Sequence, residues 1–496
     1  MAVHEVDALS YQRLAKEHLW MHFTRMGGFE TADVPIIVRG DGCHLEDSSG
    51  RRYIDALAGL FSVNIGYSFG EEIGQAALEQ MRELPFYTNW SYAHPRAIEL
   101  AAEVAALAPG DLNRVFFCSG GSEAVESAWK LARQYYAARG EKQLRGLVTP
   151  GARAGAQDGE AETMHDAIVV AATAPAPRRY KAIARHIAYH GTTLGALSIN
   201  GIPAIRAPFE PLLPEVRHVS NTNRYHRPAE ETEEEFTRFL LAELEQAILA
   251  MGPDTVCLVH MEPVQNAGGC FTPPEGYWRG VREICDRYDI LLSADEVITA
   301  FGRLGYWFGS ERYDIRPDIV TSAKGLSSSY AALGAVVATD RVMEPFLGAT
   351  SMFSHGITFG GHPVMCAIAL KNIEIMKRER ILEHVRENED TFRATLAQLL
   401  DIPIVGDLRG TGYFWAIELV KDKDTRQTFS DEECEKLLRG YLSTALWDAG
   451  MICRADDRGD PVIQISPALV AGQAEFDEIV GILGEVLTGA VELMRS

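Results

Sequence analysis

The stretch that decides the fold is residues 290–325, ILLSADEVITAFGRLGYWFGSERYDIRPDIVTSAKG. Two short apolar runs, Ile290–Leu292 and Ile319–Val320, each lead to one charged residue. The first leads to Asp295 and the second to Lys324, 29 residues further on. That distance accommodates two buried strands of one sheet and the connection between them. In open α/β sheets, ligands sit just beyond the carboxyl ends of the strands. Asp295 and Lys324 are therefore candidates for one site. The same residues also read as a helix N-cap at Asp295-Glu296 and a solvated loop lysine, and spacing alone does not separate the readings.

An amine and a carboxylate at one sheet edge suit pyridoxal phosphate (PLP). The amine condenses with the aldehyde. The carboxylate keeps the pyridine nitrogen protonated, so that the ring accepts electrons from a carbanion.

The totals narrow the classes. A chain of 496 residues suggests about three units of ~150 residues, or one large domain with attachments. A hydrophobic fraction of 47% with 23% charged residues is globular. No run approaches the ~18 apolar residues of a membrane span. The N-terminus lacks a basic region followed by an apolar stretch, so no secretory signal is expected and the expected location is the cytoplasm. The net charge of −22 disfavours nucleic acid and anionic membranes, which need a basic footprint. The eight cysteines contain no C-x-x-C pair and sit mostly in apolar runs. Buried free thiols are expected, with neither disulfides nor a metal site.

In chain order, residues 8–27 have helical spacing and 34–55 read as a hairpin around Asp47-Ser48-Ser49-Gly50. Helices are expected at 71–83 and 96–107. The aromatic cluster Phe86, Tyr87, Trp90 and Tyr92 between them reads equally as a core patch or a pocket wall. Arg114–Cys118 reads as a strand, Ser119-Gly120-Gly121-Ser122 as a tight turn and Glu123–Tyr136 as a helix. Strand, glycine turn and helix N-terminus make an anion site, although a serine N-cap explains the pattern nearly as well. Residues 142–178 are rich in Gly, Ala, Pro and charge and read as a surface insertion, with a short strand at Ala167–Ala171.

Beyond it, Arg185–Tyr189 reads as a strand whose last ring could stack on a planar ligand. A helix is expected at 230–250, a buried strand at Thr255–Met261 ending in Glu262-Pro263-Val264-Gln265, a helix at 275–288, and a strand at Leu333–Ala338. Such alternation means a mostly parallel sheet with helices on both faces. After about residue 345 the pattern becomes α+β. Helices are expected over 363–399, 431–448 and 472–493, and strands within Ile404–Val420 and at Val462–Ile465. The expected division is an N-terminal segment 1–75 packing with the small domain, a large domain 76–345, and a small C-terminal domain 346–496.

Five blocks taken together resemble the class III aminotransferases: FFCSGGSEAVESAWKLAR, YHG, MEPVQNAGG with LLSADEVITAFGR, TSAKGLSSSYAALGAV, and HGITFGGHPVMCAIAL. The likeness spans about residues 15–490 without the insertion. It implies a fold-type I PLP enzyme of the α/β class. Lys324 would be the Schiff-base lysine and proton shuttle, and Asp295 the partner of the pyridine nitrogen. Val297 and Tyr189 would flank the ring. Gly121 and Ser122 would bind the phosphate, and His190 and Glu262 would complete the cofactor contacts. Thr358 would reach the phosphate of a neighbouring subunit, so the resemblance implies a homodimer with the site at its interface.

Some positions depart from the family average. Ile298 stands where the γ-aminobutyrate and ornithine enzymes carry Gln. Gln464 stands where those enzymes place the arginine that pairs with the glutamate matching Glu262, which argues against both activities. GMICRADDRGDPVIQISPALV instead resembles the ω-amino acid:pyruvate branch, with Arg454 matching its carboxylate-binding arginine. A loop arginine paired with Asp456 or Asp457 is the plainer reading of Arg454. Phe61 takes a pocket position where that branch often has tryptophan, and Phe86, Tyr87 and Trp90 are further expected walls. The resemblance implies transfer of an amino group from an ω-amino acid, diamine or amine to pyruvate or a similar 2-oxo acid by ping-pong kinetics. Isomerases, racemases and decarboxylases of the same fold share the first steps, and sequence separates them poorly. Retention of Lys324 and Asp295 disfavours a catalytically silent homologue.

Overall fold

The structure, a computed structural model, describes residues 8–147, 179–456 and 458–495. A seven-stranded sheet forms its centre, in the order β4-β10-β9-β8-β7-β5-β6. These strands are β4 (Leu112–Cys118), β5 (Lys181–Arg185), β6 (Val216–Val219), β7 (Val256–Met261), β8 (Leu291–Asp295), β9 (Ile319–Ser322) and β10 (Gly334–Thr339). β5 through β9 pair in parallel, while β10 runs antiparallel to both β9 and β4.

The apolar runs of these strands are buried on both faces, as a parallel sheet covered by helices requires. Successive side chains point to opposite faces. Leu291 packs against the long helix Gly121–Leu147, beside Leu258 and Ile319. Leu292 packs the other way, with Val256 and Val259, against the helices Glu233–Met251 and Tyr277–Arg287. The Glu233–Met251 helix begins where the sequence says it should, because Thr232 and Glu235 bond each other's backbone in a capping box.

Two smaller sheets flank the centre. β1 (Ile37–Asp41), β2 (His44–Asp47) and β3 (Arg52–Asp55) form a meander, one strand more than the expected hairpin. Its edge β3 pairs in parallel with β13 (Met451–Ile452), placing Ile54 opposite Met451. The other sheet joins β11 (Val405–Thr411), β12 (Phe414–Leu419), β15 (Val462–Ile465) and β14 (Arg454–Asp456). Residues near both chain ends thus share one layer.

The central helix continues to Leu147, beyond the expected end at Tyr136 and into the stretch assigned to the insertion. The expected strand at Ala167–Ala171 lies outside the described residues. The first helix stops at His18, and the span 431–448 is helical but contains a wide, π-type stretch at Glu435–Leu442. All eight cysteines are free thiols, seven of them buried. Among the described residues, no helix is long and apolar enough to cross a membrane.

Arg303 ties the parts together. Its fully buried guanidinium donates to the carbonyls of Tyr413 (3.1 Å) and Pro467 (2.6 Å) and to Asn64 Oδ1 (2.8 Å). Asn64 in turn donates to Phe301 O at 2.6 Å. One side chain thereby joins the N-terminal segment, the loop after β8 and the C-terminal sheet. Burial pushes its pKa down to about 9, still above neutrality, so it remains a cation. We predict that Arg303→Leu strands these acceptors without a donor, at about 1–3 kcal/mol each. The expected result is a melting temperature several degrees lower by scanning fluorimetry. An unchanged melting curve would show that the strut contributes nothing.

Candidate functional site

The parallel register of β7, β8 and β9 brings their carboxyl ends to one edge of the sheet. Asp295 closes β8, Glu262 follows β7, and Lys324 lies two residues past β9. Tyr189 and His190 arrive from the turn after β5. The central helix enters the same edge at Gly121. Together, Gly121, Ser122, Tyr189, His190, Glu262, Asp295, Val297 and Lys324 line one cavity of about 210 Å³.

Asp295 is buried among donors. His190 Nδ1 lies 2.6 Å from its Oδ2. The Val297 N–H and the Thr321 hydroxyl each donate to Oδ1 at 3.1 Å. Thr321 is the direct cross-strand neighbour of Asp295 on β9. Burial alone would raise the carboxyl, but the His190 hydrogen bond and the nearby His260 ring outweigh it and hold Asp295 far below the usual range. His190 is itself driven down to about 4 by burial and by His260, so at neutral pH it is an uncharged N–H donor to an ionised aspartate.

Lys324 sits in the left-handed backbone region, with φ +42°. That conformation costs a non-glycine residue about 1 kcal/mol or more and is typical of functional positions. Its Nζ lies 5.3 Å from the centre of the Phe61 ring. Burial lowers the amine to about 8, partly countered by the Asp295 charge and reinforced by Arg454. A fraction of it is therefore a free nucleophile near neutral pH.

The phosphate end is equally well formed. A Cβ on Gly121 would stand 2.7 Å from Val297 Cγ1, and one on Gly191 2.4 Å from Ser122 Oγ. Both positions require glycine for close approach, and Gly191 also has φ +114°. Ser122 Oγ accepts the N–H groups of Thr192 (3.0 Å) and Thr193 (2.9 Å), clamping that loop to the helix start. Helix dipole and clamped loop together favour an anion. A cradle for a phosphate, an amine and an ionised carboxylate around one cavity fit PLP.

The walls differ from expectation. Phe61 lies under the lysine, fully buried and edge-on to Phe414, while Leu60 lines the cavity. Phe86, Tyr87 and Trp90 do not reach the cavity. They lie on the surface of this chain, where Phe86 meets Phe359 and His362 and Tyr87 meets Tyr92. Within this chain the segment packs on the loop 352–362 instead of on the sheet edge. Thr358 belongs to that loop and is exposed.

Arg454 Nε pairs with Asp456 Oδ2 at 3.1 Å. The plainer pairing is thus present, while Asp457 lies outside the described residues. Burial lowers the pKa of Arg454, partly offset by Asp456. Glu262 is raised to about 8 by burial, against the opposing charge of Arg185, whose Nη2 is 4.0 Å from its Oε2. Gln464 donates to Asn266 O at 2.8 Å and makes no contact with Glu262.

Sequence reasoning passed over three cations or potential donors here: Arg185, His260 and Arg458. Arg185 and His260 interrupt the apolar runs of β5 and β7. A titratable residue inside a buried strand was the available signal. Arg458, with its guanidinium 5.4 Å over the Tyr189 ring, comes from an irregular loop and carried no signal. A second candidate ligand cluster, His226, Glu418 and Asp460, lies away from this cavity. His226 bridges the two carboxylates, at 3.2 Å from Asp460 Oδ2.

Known proteins resemble this chain over nearly its whole length. The class-III aminotransferase family matches residues 30–487. A protein named probable aminotransferase from Mycobacterium tuberculosis is 50% identical over 95% of this chain and 93% of its own length. The putrescine–pyruvate aminotransferase of Pseudomonas aeruginosa is 36% identical over 95% of this chain and 94% of its own. The crystal structure of the omega transaminase of Pseudomonas jessenii in complex with PMP superposes with a TM-score of 0.85, at 33% identity, covering 97% of this chain and 98% of that one. With an amine, a carboxylate and a phosphate cradle converging at the edge of a fold-type I sheet, this chain belongs to the class III aminotransferases and is a PLP-dependent transaminase.

Proposed function

We propose that this transaminase takes an amino group from an ω-amino acid, diamine or simple amine and passes it to pyruvate or a similar 2-oxo acid in two half-reactions. The observation that carries this reading is the cross-strand pair of Arg454 and Gln464 on β14 and β15. Gln464, a neutral amide, occupies the β15 position opposite Arg454. Glu262 therefore receives no arginine from β15; its cationic neighbour is the buried Arg185 of β5, 4.0 Å away. Arg454, held by Asp456, is the cation that would receive a substrate carboxylate. A guanidinium offers a planar fork for that group.

When bound, PLP supplies an electron-accepting ring conjugated to its aldehyde. The chain's residues do the rest. Asp295 holds a proton on the ring nitrogen by its negative charge. Lys324 Nζ would take up and return the proton that leaves the amine-bearing carbon of the donor. Tyr189 and Val297 would flank the ring, while Gly121 and Ser122 would hold the phosphate. His190 orients the Asp295 carboxylate, and Glu262, which lines the same cavity, would complete the cofactor contacts.

The working unit in this reading is a homodimer in the cytoplasm. Exposed Trp90, Tyr92 and Phe359 lie beside exposed Thr358, an apolar surface of the kind that marks a protein interface. A second copy seated there would receive Thr358 at its phosphate cradle and Phe86, Tyr87 and Trp90 at its pocket. Sedimentation should give twice the 54.7-kDa chain mass.

The direct test of function is a donor panel with pyruvate, reading alanine formation. Positive donors with parallel double-reciprocal plots support the proposal, and no transfer from any ω-amino acid, diamine or amine would overturn it. Lys324→Ala should abolish turnover. A lysine of pKa about 8 also makes a pH prediction. The native state favours the neutral amine, so cofactor uptake by apoenzyme should rise about tenfold per unit up to pH ~8 and then level off. An ordinary lysine would keep gaining to about pH 10.4, and a profile of that shape would refute the shift. Arg454→Ala should raise KM for an ω-amino carboxylate about tenfold in the donor half-reaction, the loss expected for a charge-assisted hydrogen bond. KM for a neutral amine should move less than about twofold. Equal losses for both donors would remove Arg454 from carboxylate binding.

A further inference from the structure

Strand β7 delivers a second imidazole to Asp295. His260 is fully buried, two residues before Glu262. Its Nε2 stands 3.5 Å from Asp295 Oδ2, the oxygen that also faces His190 Nδ1. The two imidazole centroids are 4.5 Å apart. On its other side, His260 Nδ1 lies 2.9 Å from Ser293 Oγ.

This placement is written in the sheet. The β7–β8 register sets His260 directly beside Ser293. The two-residue period of a strand puts Ser293 and Asp295 on one face of β8. Ser293 thus anchors the ring at one nitrogen while the carboxylate faces the other.

The proton position follows from electrostatics. Nε2 of His260 has no hydrogen-bond partner among the described residues. A lone pair there would face a carboxylate and be repelled, so Nε2 carries the proton. Nδ1 is then the acceptor for the Ser293 hydroxyl. At 3.5 Å the Nε2–H is too far for a full hydrogen bond, but in a water-excluded site its dipole still acts on the charge. The other charged groups around this pair are Arg185 from β5, Glu262 at the end of β7, and Lys324 after β9.

We propose that His260, held by Ser293, is a positioning residue for the cofactor: it keeps the Asp295 carboxylate ionised and aimed at the pyridine nitrogen. The inference rests on the reading of Asp295 as that nitrogen's partner. His260 touches neither substrate nor cofactor and acts only through Asp295. Without it, the carboxylate loses one of its converging N–H dipoles. The ring nitrogen is then less fully protonated, and the less positive ring holds the proton on its lysine linkage more tightly.

The test uses holoenzyme and reads the pH midpoint of the yellow absorption of the lysine-bound cofactor, together with cofactor retention on dilution. His260→Leu should move the midpoint up by about half a unit or more and weaken retention several-fold, with KM for the amine donor within twofold. His260→Gln, whose amide can still donate, should recover at least half of both effects. A merely structural role would lower the melting temperature of both variants and leave the midpoint in place. Asp295→Asn is the control for the underlying reading. If Asp295→Asn changes neither spectrum nor turnover, that reading fails. If Asp295→Asn changes both and His260→Leu titrates like the parent, the His260 proposal fails alone. Should His260→Leu not fold, Ser293→Ala serves in its place. A smaller upward shift supports the proposal, and an unmoved midpoint overturns it.

Discussion

The structure turns on one buried negative charge. Asp295 is removed from water, which would ordinarily cost several kcal/mol for an isolated ion. Donors from three directions hold it ionised: His190 from the turn after β5, Thr321 from the neighbouring strand β9, and the backbone at Val297. None of these interactions is explained by stability alone, since an apolar residue would fill the position more cheaply. In the proposed function the arrangement serves as a permanent anion aimed at a ring nitrogen. That requirement dictates which strand must lie beside which, because the donors reach Asp295 only when β5, β7, β8 and β9 end at the same edge.

The surroundings are built to keep that edge rigid. Glu296, the next residue, turns away from the cavity. It accepts the Ser310 N–H at 2.9 Å and the Thr299 hydroxyl at 3.0 Å, and bonds Gly309 N and Ser310 Oγ. Burial raises its pKa to about 7 despite these donors. It therefore caps the turn at 309–312 and fixes the loop that follows β8. Seven residues further on, Arg303 locks the same loop to Asn64, Tyr413 and Pro467. Two adjacent acidic residues thus have separate tasks. One faces the ligand, and the other holds the loop in place.

Charge at the cavity mouth is less settled by the sheet. Arg454 and Arg458 both lean on Asp456, at 3.1 and 3.6 Å, so two cations share one carboxylate. The excess positive charge lies beside Tyr189, over which Arg458 is placed. Arg454 lies on the short strand β14, while Arg458 follows on an irregular loop.

The amino-acid sequence alone pointed to the α/β class and, through five blocks that resemble one family, to the PLP cofactor. The underlying features are local: apolar runs of strand length lead to Asp295 and Lys324, and a glycine turn opens the helix at Gly121. Such features are set by backbone geometry within a few residues. The sequence also placed the strands at 256–261, 291–295 and 319–322 closely. Only the tertiary structure decided what depends on neighbours distant in the chain. It turned β10 antiparallel, added a third strand to the N-terminal meander, and put Phe61 under the lysine instead of on the wall. It carried Phe86, Tyr87 and Trp90 to the surface. It also set His260 against Asp295 and Arg303 between the two ends of the chain. These are packing outcomes, fixed by strand register and by which buried polar groups must find partners, and no periodicity in a linear sequence records them.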